Sequence, residues 1–266
     1  MKLHLASFDS ISGKCRRDGE TEEEMRERIS SVYLLTSFWE IFGRYKRGYI
    51  PFWVYQQRHM LDSGAFSFMQ GSGLQKDVDW DAYIDQYIGC IKETNQQYFF
   101  ELDIDVCVGL KKVEEYRDKI EQAVGRATIP VWHKSRGKEY WLRLVEEYDY
   151  VSIGGIVAGE IKRTDYKYLP WFLETARKNN CKVHALGFTG FADIHKYPFY
   201  SVDSTSWLSG GRFFGGVYTT KINKYGQRIL TKRDVGDDMR CKKTADMHLL
   251  NFEVWASYQK YAEKYL

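Results

Sequence analysis

At 266 residues the chain is longer than one small domain needs and close to the roughly 250 residues of one closed (β/α) barrel. Its 39 basic and 36 acidic residues leave a net charge of +3, too small a surplus to mark a nucleic-acid-binding protein by charge alone. Hydrophobic residues make up 44% of it, no apolar run approaches the roughly 18 residues of a membrane span, and the five cysteines contain no Cys-x-x-Cys pair, which excludes a membrane span, a disulfide framework and a Cys-rich zinc module.

The first predicted strand covers about Leu3–Phe8, and Thr21 with Glu24 three residues on reads as a capping box that starts a helix. A second strand is expected over about Ile50–Leu61, ending in Asp62-Ser63-Gly64-Ala65-Phe66-Ser67. Trp80, Tyr83, Ile84, Tyr87, Ile88 and Ile91 then recur at helical spacing. A third strand, Tyr98–Ile104, ends among the acids Glu101, Asp103 and Asp105. A charged helix at about Lys112–Val124 precedes a fourth strand, Ile129–Trp132, which ends at His133. Helix 137–147 leads to strand Tyr150–Ile153 and Gly154-Gly155; helix 165–179 leads to strand Lys182–Leu186 and Gly187. Strand Phe199–Val202 ends at Asp203. A β segment near Phe213–Thr220 takes the eighth place, Tyr225-Gly226 turns a hairpin, and a helix over about Thr244–Tyr265 closes the chain.

Alternating strands and helices imply parallel pairing through right-handed crossovers. The expected fold is α/β, a single (β/α)8 TIM-like barrel with a C-terminal helix, forming one catalytic domain over residues 1–266. The alternative, an open doubly wound sheet, lacks its Gly-x-Gly-x-x-Gly loop after the first strand.

Barrels carry their chemistry at the C-terminal ends of the strands. Here those ends read Asp62, Glu101/Asp103/Asp105, His133, Gly154-Gly155, Gly187 and Asp203. Paired carboxylates suit glycosidic chemistry: one attacks or stabilises the anomeric carbon while the other moves protons. Crowding pushes one of their pKa values up, so that it stays protonated near neutral pH. Gly154 and Gly155 offer backbone N–H groups for a carbonyl oxygen, and Phe66 offers a stacking face. Ordinary capping and turn roles compete with each of these readings taken alone.

The motifs together resemble a known family. Asp62-Ser63-Gly64-Ala65-Phe66 is similar to the Asp-Ser-Gly-Gly-Phe/Tyr motif of the tRNA-guanine transglycosylases. Ser152-Ile153-Gly154-Gly155-Ile156-Val157-Ala158-Gly159-Glu160 resembles their Ile-Gly-Gly-Leu-(Ala/Ser)-Val-Gly-Glu segment. Leu186-Gly187 resembles a following Met-Gly, and Val202-Asp203-Ser204 falls in the slot of the nucleophile strand. The order agrees over roughly residues 58–207. That family's Cys-x-Cys-x-x-Cys…His zinc site has no counterpart, since only Cys241 and His248 follow Asp203. The chain therefore looks most like the compact phage-type branch, the DpdA-type 7-deazaguanine DNA transglycosylases.

This resemblance implies that Asp203 attacks C1′ of the target nucleotide and that Asp62 is the general base for the incoming base. It implies that Asp103 or Asp105 reads the guanine edge; strand alternation puts both on one face with Glu101 and leaves the choice open. Gly154 and Gly155 would bind the base carbonyl, and Phe66 and Leu186 would sandwich the ring. Ser63 and His133 join the substrate-binding set, His133 with rim packing as its alternative role. Phosphate contacts are assigned to Arg136, Lys138, Lys162 and Arg163, which follow the strands ending at His133 and Gly155. The expected partners are DNA, with its guanine flipped or single-stranded, and a free 7-deazaguanine base; no cofactor and no metal are expected. A cytoplasmic location follows, that of the host cell for a phage-encoded chain, and family members often pair as homodimers. Competing expectations are the same exchange on tRNA, a nucleoside or glycoside hydrolase using the same carboxylates, and a non-catalytic nucleic-acid-binding barrel.

Overall fold

Seven strands form one parallel sheet: β1 (Lys2–Ala6), β2 (Leu34–Ser37), β3 (His59–Asp62), β4 (Val131–Trp132), β5 (Tyr150–Ile153), β6 (Lys182–Ala185) and β7 (Ser201–Ser204), in the order β3-β2-β1-β7-β6-β5-β4. The computed structural model describes residues 1–70, 78–188, 194–209, 216–233 and 244–266. The sheet is curled, and the segment 98–101 meets β3 at one end of it and Ile129, just before β4, at the other. Phe100 N–H donates to Leu61 O at 3.0 Å, and Ile129 N–H donates to Phe99 O at 2.8 Å. Tyr87 Oη lies 2.9 Å from Phe100 O and 3.1 Å from Leu61 O, so a tyrosine hydroxyl occupies the carbonyls where the ladder is short.

Strand alternation sorts the core into two. Outward side chains such as Leu3, Leu5, Val151, Ile153, Val183, Ala185 and Val202 pack with the helices in the main cluster. Ala6, Leu35, Met60, Phe100, Ile129 and Val131 form a separate inner cluster, flanked by Tyr98, Tyr150 and Leu186. Among the described residues the α-helices are α1 (Glu22–Ser30), α2 (Phe38–Tyr45), α3 (Ala65–Gln70), α4 (Trp80–Glu93), α5 (Asp105–Val108), α6 (Leu110–Val124), α7 (Gly137–Glu147), α8 (Leu169–Lys178) and α9 (Thr244–Tyr265). The capping box at α1 is present: Glu24 N–H donates to Thr21 Oγ1 at 3.2 Å, and Thr21 N–H donates to Glu24 Oε2 at 2.7 Å. Helix α4 buries Tyr83, Ile84, Tyr87, Ile88 and Ile91, the stripe its spacing predicts. Among the described residues no helix is long and apolar enough to cross a membrane.

Three element expectations are corrected. Of the strand expected over Ile50–Leu61, only His59–Asp62 is strand; Phe52–Tyr55 is a turn of 3-10 helix after Pro51, whose missing N–H and fixed φ do not suit a ladder. The segment near Phe213–Thr220 is not an eighth strand of the parallel sheet in its described part. Strand β8 (Val217–Ile222) pairs antiparallel with β9 (Arg228–Arg233) in a separate two-stranded sheet. Its tight turn at 223–227, with Gly226 N–H donating to Asn223 O at 3.0 Å, joins antiparallel neighbours, whereas parallel strands need a crossover. Residues 213–215 lie outside the described residues. The sheet strand that sequence reading passed over is β2: its four residues run straight into α2, so one apolar stretch hides two elements.

Candidate active site

All seven strands run parallel, so their C-terminal ends share one rim. Asp203 lies within β7, 7% exposed. Its Oδ1 accepts the Gly187 N–H at 2.7 Å and lies 3.2 Å from His184 Nε2. Among the described residues Oδ2 takes no hydrogen bond, so one oxygen is anchored and the other is open to a ligand. Gly187 is needed for this approach: its φ is +67°, and a Cβ there would run into Val157 Cγ2.

Asp62 ends β3, and its Oδ2 accepts the Gly64 N–H at 3.1 Å. Burial, then the negative charge of Asp103, push its pKa from 3.8 up to about 7; the Gly64 hydrogen bond opposes this, and Asp203 and Glu40 add to it. Asp62, Asp103 and Asp203 therefore share one electrostatic site. Tyr83 Oη–H donates to Ser63 O at 2.7 Å, which ties the turn after Asp62 to α4.

Between these carboxylates and β5 stands an acid–imidazole–acid bridge. His133 Nε2 donates to Asp103 Oδ2 at 2.8 Å and Nδ1 to Glu160 Oε2 at 3.1 Å. Burial opposes the charged ring, but the hydrogen bond and charge of Asp103, with Glu160 and against Arg136, outweigh it and raise His133 to about 9. At neutral pH the ring is an imidazolium with both N–H groups committed to carboxylates. Glu160 is itself fixed by the Ser135 N–H, which donates to Oε1 at 2.8 Å.

Gly154 and Gly155 make this bridge possible. A Cβ on Gly154 would lie 2.8 Å from both His133 Cε1 and Val131 Cγ1; one on Gly155, whose φ is +79°, would lie 2.5 Å from Glu160 Oε2. The expectation that both amides bind a carbonyl needs correction. Gly154 N–H donates to Trp132 O at 2.8 Å as part of the ladder, which leaves Gly155 as the amide of the pair outside it.

The third group of acids separates. The reading that Glu101, Asp103 and Asp105 share a face does not hold: the strand expected over Tyr98–Ile104 is reduced to bridges at Phe99 and Phe100, Ile104 N–H donates to Leu102 O at 3.0 Å in a turn, and α5 begins at Asp105. Glu101 and Asp105 both pair with Arg136, at 2.9 and 3.1 Å, while Asp103 turns to His133. Arg117 lies on the other oxygen of Glu101 at 3.0 Å, completing a buried ion cluster. Asp103 therefore belongs to the site, and Asp105 serves Arg136. The Arg136 side chain is 1% exposed and does not reach a phosphate, so its expected DNA contact is corrected to an ion-pair role. Lys138, in the first turn of α7, and Lys162 and Arg163, at the start of the 3-10 turn before α8, are exposed.

Ser63 is 0% exposed, so its side chain has no surface for a substrate, contrary to expectation. Phe66 is 40% exposed on α3, and Leu186 is half-buried against the inner cluster. Two residues outside the expected site belong to it: His184, which reads as a packing residue, and Glu160. His184, on β6, touches Asp203; it stands two residues before Leu186, which follows the strand, so period-two alternation was the signal for it. Glu160 lay in plain view in the Gly-Gly segment, but its partner His133 is 27 residues away and only the fold joins them. Among the described residues no group of three or more His, Cys, Asp or Glu side chains is arranged to hold a metal ion. Cys241 lies outside the described residues.

The chain matches no protein-family model and no curated protein.

Proposed function

We propose that this protein is a base-exchange transglycosylase that replaces guanine in DNA with a 7-deazaguanine through a covalent Asp203–sugar ester. The observation that carries the reading is the pairing of two unlike carboxyls on one rim. Asp203 has one oxygen held and one open, and Asp62 titrates near 7. The open oxygen suits attack on C1′, with the electron pair of the C1′–N9 bond leaving on guanine. A carboxyl that titrates near neutrality both gives and takes a proton at modest cost. Asp62 in its acid form protonates the departing base; as carboxylate it then removes N9–H from the incoming 7-deazaguanine, whose nitrogen attacks C1′ and breaks the ester. Asp103, oriented by His133, accepts from the N–H edge of the base, and the Gly155 N–H faces its carbonyl.

The reading of the fold goes one step further in the same direction. Segment 98–101 bonds to β3 on one side and to the approach to β4 on the other, which supports an eight-stave closed barrel with that segment as the remaining stave. A closed rim demands that the target base leave its stack to reach the carboxyls, so the substrate is a flipped or single-stranded nucleotide in DNA. Exposed Lys138, Lys162 and Arg163 are suited to its phosphates.

The test is a labelled-guanine exchange assay with DNA and tRNA side by side, followed by nucleoside mass spectrometry with a 7-deazaguanine supplied. Incorporation into DNA, lost in Asp203→Ala, is the expected result. Incorporation into tRNA alone transfers the chemistry to RNA, and release of free base without incorporation makes the protein a hydrolase. Full exchange in Asp203→Ala removes Asp203 from the nucleophile's place.

A further inference from the structure

Beneath Asp203, inside the curled sheet, lies a line of polar side chains that the reaction above does not use. His184 on β6 is wholly buried, with Nε2 3.2 Å from Asp203 Oδ1 and Nδ1 2.5 Å from Ser201 Oγ. Ser201 is also wholly buried, and its Oγ lies 2.5 Å from Tyr150 Oη. Three neighbouring strands, β5, β6 and β7, thus contribute one residue each to a continuous chain ending on the carboxylate.

Valence sets its direction. A carboxylate oxygen only accepts, so the imidazole proton facing Asp203 sits on Nε2. The ring nitrogen left as acceptor is Nδ1, which takes the Ser201 O–H. The Ser201 oxygen, having given its only proton, accepts from Tyr150 O–H. The ring cannot easily turn out of this line, because Phe100 and His4 press edge-on against it, with centroids 5.2 and 5.9 Å away.

We propose that Tyr150, Ser201 and His184 form a directional donor chain that positions the nucleophile, holding Asp203 by Oδ1 and leaving Oδ2 to attack. His184 is a positioning residue in this scheme and touches no substrate. The inference rests on Asp203 being the nucleophile. The Gly187 N–H supplies a second donor to Oδ1, so the carboxylate is gripped from the backbone on one side and from the barrel interior on the other. Two donors on one oxygen draw charge toward it and fix the carboxyl plane, which is the geometric requirement for attack by its partner. The price of such a chain is strict pairing: a buried hydroxyl or ring nitrogen without its partner is costly, so loss of any link is felt at the next.

The experiment has two independent readouts on the full chain. The first is the tautomer of His184 by 15N NMR of histidine-labelled protein, which needs no activity. A ring protonated at Nε2 is expected in the parent, with loss of that single state in Ser201→Ala. The second is single-turnover formation of the covalent DNA adduct and steady-state exchange in His184→Leu, His184→Gln and Tyr150→Phe. His184→Leu lowers kcat by about 10- to 100-fold, the scale of one hydrogen bond to a charged group, with KM nearly constant. His184→Gln, which keeps a donor toward Asp203, recovers most of that loss. A ring protonated at Nδ1 alone overturns the direction of the chain. An unchanged kcat in His184→Leu, with Asp203→Asn inactive, overturns the positioning role while leaving the nucleophile in place. Absence of exchange by the parent on both nucleic acids removes the functional reading instead, and the tautomer still decides whether the donor chain exists.

Discussion

Replacing Asp62 by asparagine separates the stability of the site from its chemistry. Asparagine keeps an oxygen for the Gly64 N–H and nearly the same volume, but it removes a charge that burial and the Asp103 carboxylate both disfavour. The folded-state pKa of Asp62, about 7, lies above its ordinary 3.8. In the folded protein the carboxyl holds its proton longer than in the unfolded chain, so ionisation weakens the fold. The penalty is absent below about pH 4, grows as pH rises, and is complete above pH 7. At about 1.36 kcal/mol per pH unit, the gap between the two values corresponds to at most about 4 kcal/mol, and roughly half of that once water and side chains relax. Asp62→Asn is therefore expected to be more stable than the parent by about 2 kcal/mol at pH 8, with the advantage falling to less than half of that at pH 5 and vanishing only below about pH 4, while base exchange is lost. Urea unfolding of both proteins at pH 5, 6, 7 and 8 measures this directly. An Asp62→Asn protein that is less stable at pH 8, or an advantage that does not change with pH, would refute the reasoning and with it the placing of Asp62 among unneutralised carboxylates.

The remaining predictions concern the bridge and the rim. His133 is expected to titrate near 9 by NMR; because its folded value is raised, its contribution to stability is present below about pH 6.5 and is lost as pH rises through 9, and Glu160→Gln lowers the midpoint. Gly155→Ala should cost about 1–2 kcal/mol in denaturant unfolding, since the far end of Glu160 can move aside but the left-handed backbone cannot accept a Cβ freely. The same change should lower the His133 midpoint; an unchanged midpoint would mean that Glu160 does not hold the ring. Charge reversal at Lys138, Lys162 and Arg163 together should weaken DNA binding and flatten its salt dependence without loss of stability, as titrations at several salt concentrations will register. Arg136→Ala should do the opposite, costing about 3–5 kcal/mol of stability because Asp105 loses its cation and the buried Glu101 keeps only Arg117, and leaving the salt slope as it was.

Much of the architecture was legible in the residues alone. The Thr21–Glu24 cap, the apolar stripe of α4 and the short strands that carry Asp62 and Asp203 or lead to His133 and Gly154 are local patterns, and local patterns carry α/β alternation and the identity of the rim. The two largest misreadings arose where local pattern is degenerate. Strand β2 was lost because a buried strand joined directly to a helix shows no break in hydrophobicity, and β8 was promoted because a hairpin strand looks like any other. The site followed the same rule. Carboxylates at strand ends could be named from the sequence, but which of them face one another could not. Alternation put Asp103 and Asp105 together, and the helix that starts at Asp105 parted them, one to His133 and one to Arg136. Arg136 looked like a phosphate ligand because charge in a sequence carries no burial. What only the tertiary structure decided is the pairing of distant charges: Asp103 with His133 and Glu160, and Asp203 with His184 and the chain behind it. Such pairings depend on the curvature of the sheet, which brings strand ends together irrespective of their separation along the chain, and no periodicity in the sequence records that distance.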